Sequence, residues 1–85
     1  MSYEGRWAGR AHVLRALEAA ALETERRATA AHGSDRDTLQ IVSRTFARVA
    51  RLGPSPGAVQ VVERLREYDT VADLAHQVLR AWQEN

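Results

Sequence analysis

Cysteine and lysine are both absent from this chain of 85 residues. Without cysteine there is no disulfide framework, no thiolate nucleophile and no zinc site built on sulfur. Without lysine, all 12 basic residues are arginine, although the formal net charge is only +1. We attribute so complete a bias to a GC-rich genome, which points to a bacterial or phage origin.

Long apolar runs are also missing. No stretch approaches the length of a spanning helix, and the N-terminal "MSYEGRWAGR" lacks the apolar segment of a secretory signal. We therefore expect no membrane partner and a cytoplasmic location. The hydrophobic fraction of 45% and the charged fraction of 27% are ordinary for a folded domain, and the length predicts a single domain over residues 1–85.

Apolar periodicity predicts four helices and no strand. The helices cover about residues 5–31, 35–52, 56–68 and 70–82. Gly33 and the "GPSPG" segment at 53–57 separate the first three. Ser34 with Asp37 and Thr70 with Asp73 have the spacing of a capping box, and Ser55 precedes Pro56 as an N-cap residue would.

The expected fold is all-α, a compact four-helix arrangement in which the long N-terminal helix packs across the other three. Three aromatic side chains are expected to anchor its core: Trp7, Phe46 and Trp82. On a helical wheel, the apolar face of the first helix is predicted to comprise Trp7, Leu14, Leu17, Ala21 and Ala28, with Val13 and Ala31 at its edge.

The second half of the first helix is the clearest hint of an interface. A continuous helix would be ~40 Å long, beyond the reach of its partners in so small a domain. Its face in "ETERRATAAH" offers only small residues, which would let another helix approach closely. A second copy of the chain is the simplest such helix, so a homodimer is expected. The predicted interface residues are Ala21, Thr24, Ala28 and Ala31.

No constellation for catalysis or for cofactor or metal binding is evident. His12, His32 and His76 have neither H-x-x-x-H nor E-x-x-H spacing, and no nucleophile–base set or phosphate loop occurs. Arg27 and His32 have an R-x4-H spacing that resembles the pair of HEPN-type ribonucleases, which cleave RNA at a dimer interface. That resemblance is limited to two residues, and the prediction is that the chain is not an enzyme and has no cofactor.

The arginines offer a second kind of partner. Arg44, Arg48 and Arg51 recur at i, i+4 and i+7 on one helix, and Arg64 extends the set from the next helix. Such a stripe could bind phosphate, which makes a nucleic-acid-associated regulator the alternative function. The low net charge and the neighbouring Glu63 and Glu67 favour a solvated surface instead.

The C-terminal third resembles two helical families. "VVERLREYDTVADLA" resembles the first part of a bacterial helix-turn-helix, which implies DNA binding, but the recognition helix that would follow is replaced by "HQVLRAWQEN". The V-x2-L-R and V-x2-L-A-x2-V-L-x2-W spacing resembles the last two helices of the docking domain of TFIIS and elongin A, which implies partner binding. The middle segment of that family is absent. The favoured prediction is a small non-enzymatic interaction or assembly module, an adaptor that binds protein.

Overall fold

The computed structural model describes residues 3–53 and 55–83, and for 3–10 and 56 it describes the backbone alone. Within these ranges the chain is helical and has no strand. The four helices are α1 (Tyr3–Ala30), α2 (Gly33–Leu52), α3 (Pro56–Leu65) and α4 (Ala72–Gln83). The all-α prediction, with four helices of which the first is the longest, is confirmed.

Helices α1 and α2 form a long antiparallel hairpin that makes up most of the molecule. Helix α4 packs along α1, while α3 contacts α4 and the end of α2. The assembly measures 49 × 19 × 19 Å, so it is elongated along the hairpin. As a result α3 and α4 cover one side of the hairpin.

The core lies where α4 meets the hairpin. Phe46 is fully buried at its centre, together with Leu17 of α1 and Val78 of α4. On α1 the buried positions are Val13, Leu17, Ala20, Thr24 and Ala28. The predicted face of α1 was therefore rotated from the true one, because Leu14 and Ala21 are only half-buried while Val13 is 1% exposed.

Of the three expected aromatic anchors, one is confirmed, one needs correction and one lies outside the described side chains. Phe46 is buried as predicted. Trp82 is only partly buried and packs at the edge of the core, so it does not close the bundle. The side chain of Trp7 is outside the described residues.

The helix ends agree with the sequence at Gly53 and Ser55. The N–H of Gly53, which has φ of 87°, donates to the carbonyl of Val49 at 3.0 Å. The Ser55 Oγ accepts a hydrogen bond from the N–H of Ala58 at 3.1 Å, which confirms the predicted cap. Without these bonds, the Val49 carbonyl at the end of α2 and the Ala58 N–H at the start of α3 would be unpaired.

Other boundaries differ from the prediction. Helix α2 begins at Gly33, whose φ of 64° is readily adopted by glycine, and no side chain caps it. Ser34 is thus inside the helix, and the capping box predicted with Asp37 does not mark its start. Helix α3 ends at Leu65, three residues early, because residues 66–68 form i→i+3 turns, including Tyr68 N–H to the Leu65 carbonyl at 3.2 Å.

The small residues of α1 allow close helix contacts within the chain. The Ser43 Oγ of α2 donates to the carbonyl of Ala21 at 3.0 Å, which brings the α2 side chain onto the α1 backbone. Thr24 is 0% exposed, and its hydroxyl donates to the Ala20 carbonyl at 2.6 Å. Helix α1 continues through this region to Ala30 without fraying.

Candidate interaction groove between α1 and α2

A groove runs between α1 and α2 on the side of the hairpin that α3 and α4 leave open. We call it the α1–α2 groove. One end is apolar and is lined by Leu14, Ala21, Leu22, Ala47 and Ala50. The other end is polar and is lined by Glu25, Thr29, Arg36, Gln40, Ser43 and Arg44. Ala47 lies where the two ends meet, so they form one continuous channel.

The groove results from the angular position of these residues. Glu18 follows buried Leu17, and Ala47 follows buried Phe46, so each stands about 100° around its helix from the core. Because the two helices are antiparallel, the same rotation turns both faces to the same side of the hairpin. A second surface therefore lies next to the core and is formed by residues that follow the buried positions of the same two helices.

The apolar end includes a strongly exposed leucine. Leu22 is 69% exposed. It lines this end together with half-buried Leu14, which lies about two turns earlier on α1, and with the small side chains of Ala47 and Ala50 on α2. Leucine therefore lines the α1 side of this end, and alanine lines the α2 side.

Charge is divided between the two walls of the groove. The α1 wall carries Glu18 at the apolar end and Glu25 at the polar end. The α2 wall carries Arg51 at the apolar end, and Arg44 and Arg36 at the polar end. The two acids of the groove therefore lie on the α1 wall and its three arginines on the α2 wall, with both signs at each end.

The predicted arginine stripe is split by this geometry. Arg44 and Arg51 line the groove, whereas Arg48 is exposed on α2 without lining it. Arg64 is exposed on α3, a different helix from the other three. Two glutamates on the α1 wall face the three groove arginines, so the groove is not a uniformly basic surface.

The predicted interface residues of α1 lie mostly inside the chain. Thr24 and Ala28 are 0% and 3% exposed, which leaves them no surface for a second copy. Ala21 and Ala31 are half-buried against the core. The close helix contact expected at these positions is made within the chain, by α2. The exposed face of α1 is formed by the residues that follow them, such as Leu22 and Glu25.

An ion-pair network ties α1 to the start of α4. The Arg27 Nη1 and Nη2 atoms donate to the two carboxylate oxygens of Asp73 at 2.9 and 2.8 Å. Nη1 also donates to the Thr70 carbonyl at 2.7 Å, and Nε donates to Glu23 at 3.0 Å. The guanidinium therefore uses its whole fork to hold the corner before α4 against α1.

These contacts perturb the acids involved. Hydrogen bonds from Arg26 and then Arg27 lower the pKa of Glu23 to about 2. Hydrogen bonds from Arg27 also lower the pKa of Asp73, and the same contacts raise the pKa of Arg27. The guanidinium of Arg27 thus holds α4 against α1. His32 is exposed at the junction of α1 and α2. The contacts of Arg27 are with Glu23, Thr70 and Asp73, so the R-x4-H spacing does not correspond to an Arg–His contact.

One of these features could not be read from the sequence, and the other was missed. The Arg27–Asp73 pair joins positions 46 residues apart, and only the packing of α4 on α1 brings them together. The groove was missed because the wheel of α1 was read as a single face; exposed Leu22 beside Leu14 was the available signal.

Other kinds of site are scarce among the described residues. Among the described residues no group of three His, Asp or Glu side chains lies close enough to hold a metal ion. In the same part of the chain, no helix combines the length and apolarity needed to cross a bilayer. A smaller cleft between α3 and α4 is lined by Val59, Leu79 and Trp82, among others.

Compared with known proteins, the chain matches no family model, no curated sequence and no solved structure. Its function must therefore be argued from its own residues.

Proposed function

We propose that the chain is a small non-enzymatic protein-interaction or assembly module whose α1–α2 groove binds a helix. The observation that carries this proposal is the exposed leucine at the apolar end, Leu22, set in a channel between two antiparallel helices. A channel of this kind matches the ridge of a third helix, which packs between two others by inserting its side chains.

The length of the groove suits a helical partner. From Leu14 to Thr29 the α1 wall spans about 22 Å, or roughly four helical turns. Along that length the surface changes from leucine and alanine to paired charges. An amphipathic helix with an apolar end and a mixed-charge end would satisfy both parts.

A nucleic-acid ligand fits the groove less well. Glu18 and Glu25 on the α1 wall would face phosphates held by Arg44 and Arg51 on the α2 wall. Phosphate binding is favoured where arginines neutralise the backbone without nearby acids. We therefore favour protein as the partner.

The test uses a photo-crosslinking amino acid placed at position 22 or, as a matched control, at position 41. Ile41 is 62% exposed and lies outside the groove lining, so the two positions differ in location and little in accessibility. Irradiation of the source cells and of the purified chain should give a protein adduct from position 22 and little from position 41. Mass spectrometry identifies the partner, whether another protein or the chain itself.

The adduct should disappear when Ala47→Arg fills the groove, because that arginine would block the incoming helix. Equal crosslinking from both positions, or an adduct at position 22 that survives Ala47→Arg, would count against a specific groove partner. Crosslinking to nucleic acid instead of protein would replace the proposal with the alternative function.

A further inference from the structure

We infer that the helix pair filling the α1–α2 groove belongs to a second copy of this chain, related by a two-fold axis that runs parallel to α1 and α2. The inference rests on the proposed function, since it names the partner of that same groove. In this dimer the two hairpins form a four-helix bundle in which α1 of each copy lies on α2 of the other.

Symmetry leaves two simple ways to stack the hairpins face to face. A two-fold axis parallel to the helices places α1 on α2 of the second copy and keeps every residue at its own level along the bundle. A two-fold axis perpendicular to the helices places α1 on α1 and α2 on α2. The residues of the groove distinguish the two arrangements.

Charge favours the parallel axis. Glu18 and Arg51 lie at the same end of the groove on opposite walls, as do Glu25 and Arg44. With the parallel axis, Glu18 meets Arg51 of the second copy, Glu25 meets Arg44 of the second copy, and each pair occurs twice. The perpendicular axis would instead set the acidic wall on the acidic wall, and opposed like charges discriminate strongly against a pairing.

Side-chain size favours the same choice. The α1 wall carries Leu14 and Leu22, and the α2 wall carries Ala47 and Ala50. With the parallel axis, leucines of one copy fit against alanines of the other, the large-on-small matching that fills a helical interface. The perpendicular axis would place leucine on leucine and leave a gap between alanines.

The surface area is consistent with a dimer. The 9.5 kDa chain exposes 6053 Å², whereas the size scaling for compact monomers gives ~5,000 Å² for this mass. The excess is of the order of the ~800 Å² that each partner buries in a standard interface. A hairpin with one uncovered side accounts for such an excess.

The first experiment measures mass in solution, by sedimentation equilibrium, for the whole chain and three charge variants. The unaltered chain should be a dimer. Glu18→Arg alone and Arg51→Glu alone should each weaken the dimer at least about tenfold, because each variant sets two like-charge pairs across its own homodimer. Arg48→Glu, the same charge change outside the groove lining, should leave the dimer unchanged.

Mixing the two disrupted variants gives the decisive result. In a heterodimer of Glu18→Arg with Arg51→Glu, the new arginine meets the new glutamate at one contact and the original pair survives at the other. The mixture should therefore form dimers as tightly as the unaltered chain. Recovery on mixing cannot come from restored folding, since each chain still carries its own substitution.

The second experiment uses the absence of cysteine in the sequence. Leu22→Cys and Ala47→Cys chains should each fail to form a disulfide with themselves, and their mixture should form a disulfide heterodimer under mild oxidation. A Leu22→Cys homodimer would indicate the perpendicular axis and overturn the arrangement.

The inference and the proposed function fail in different ways. A chain that stays monomeric at high concentration overturns the dimer, yet leaves the groove open to a different protein, which the crosslinker at position 22 would reveal. A dimer that responds equally to Arg48→Glu and Arg51→Glu would place the interface elsewhere and overturn the groove dimer, whereas the lack of a specific adduct from position 22 would overturn the proposed function.

Discussion

Arg27 is expected to contribute more to folding than any other charged side chain whose contacts are described, and Arg27→Ala tests this. Its guanidinium is the only described group that links the last turns of α1 to the corner before α4, through Asp73 and the Thr70 carbonyl. Removing it leaves the Asp73 carboxylate without its two donors and frees the Thr70 carbonyl.

The magnitude follows from exposure and geometry. The side chains of Arg27 and Asp73 are 29% and 54% exposed, so solvent screens the pair. A screened ion pair contributes at most about 1 kcal/mol, and the hydrogen bond to a backbone carbonyl adds about 1 kcal/mol. The variant should therefore lose about 2 kcal/mol of unfolding free energy, which lowers Tm by roughly 8–15 °C for a domain of this size.

Urea unfolding followed by circular dichroism measures the loss, with the slope of the transition checked for constancy. Arg26→Ala is the matched control, because Arg26 bonds Glu23 on its own helix and is 73% exposed. That control should lower the unfolding midpoint much less, because Arg26 bonds only within α1. An Arg27→Ala midpoint equal to that of Arg26→Ala would refute the idea that this guanidinium holds α4 on α1.

Three further predictions concern acid, core and cap. The pKa of Asp73 is lowered in the folded chain, and that of Glu23 falls to about 2. The stabilisation from these two carboxylates is therefore present at neutral pH and is lost as pH falls below about 4. Asp73→Asn should flatten the measured stability–pH curve in that range, and an unchanged curve would contradict the assignment. Phe46→Ala, at a fully buried position, should cost about 3–5 kcal/mol in urea unfolding, and a loss below 1 kcal/mol would mean that the site is not the packed centre of the core. Ser55→Ala removes the hydrogen bond to the Ala58 N–H and should cost about 1 kcal/mol, whereas Ser55→Asp should retain most of the stability.

The sequence was most informative where one face of a helix is buried and the other is solvated. In α2, Phe46 was read correctly as a core position, and it is buried together with Leu39, Val42 and Val49. Ser55 and Gly53 were also read correctly, because their roles depend on local backbone chemistry that a few neighbouring residues determine.

The sequence was least informative where the outcome depends on tertiary contacts. Thr24 was assigned to an interface between copies because a threonine among alanines gives no sign of burial, yet it is 0% exposed and its hydroxyl bonds within α1. Residues 66–68 continue the helical pattern in sequence, but the chain must turn there to bring α4 back onto α1. Neither result follows from periodicity alone.

The misread face of α1 has a physical cause that bears on the proposed groove. Apolar residues occupy positions 13, 14, 16, 17 and 19–22, which is too many for one stripe on a helix with solvent on its other side. The structure divides them between a core face, with Val13 and Leu17, and a groove face, with Leu14 and Leu22. Leu22 remains 69% exposed on the groove face. Two adjacent apolar faces are what a helix needs when it packs against its own chain on one side and a partner on the other.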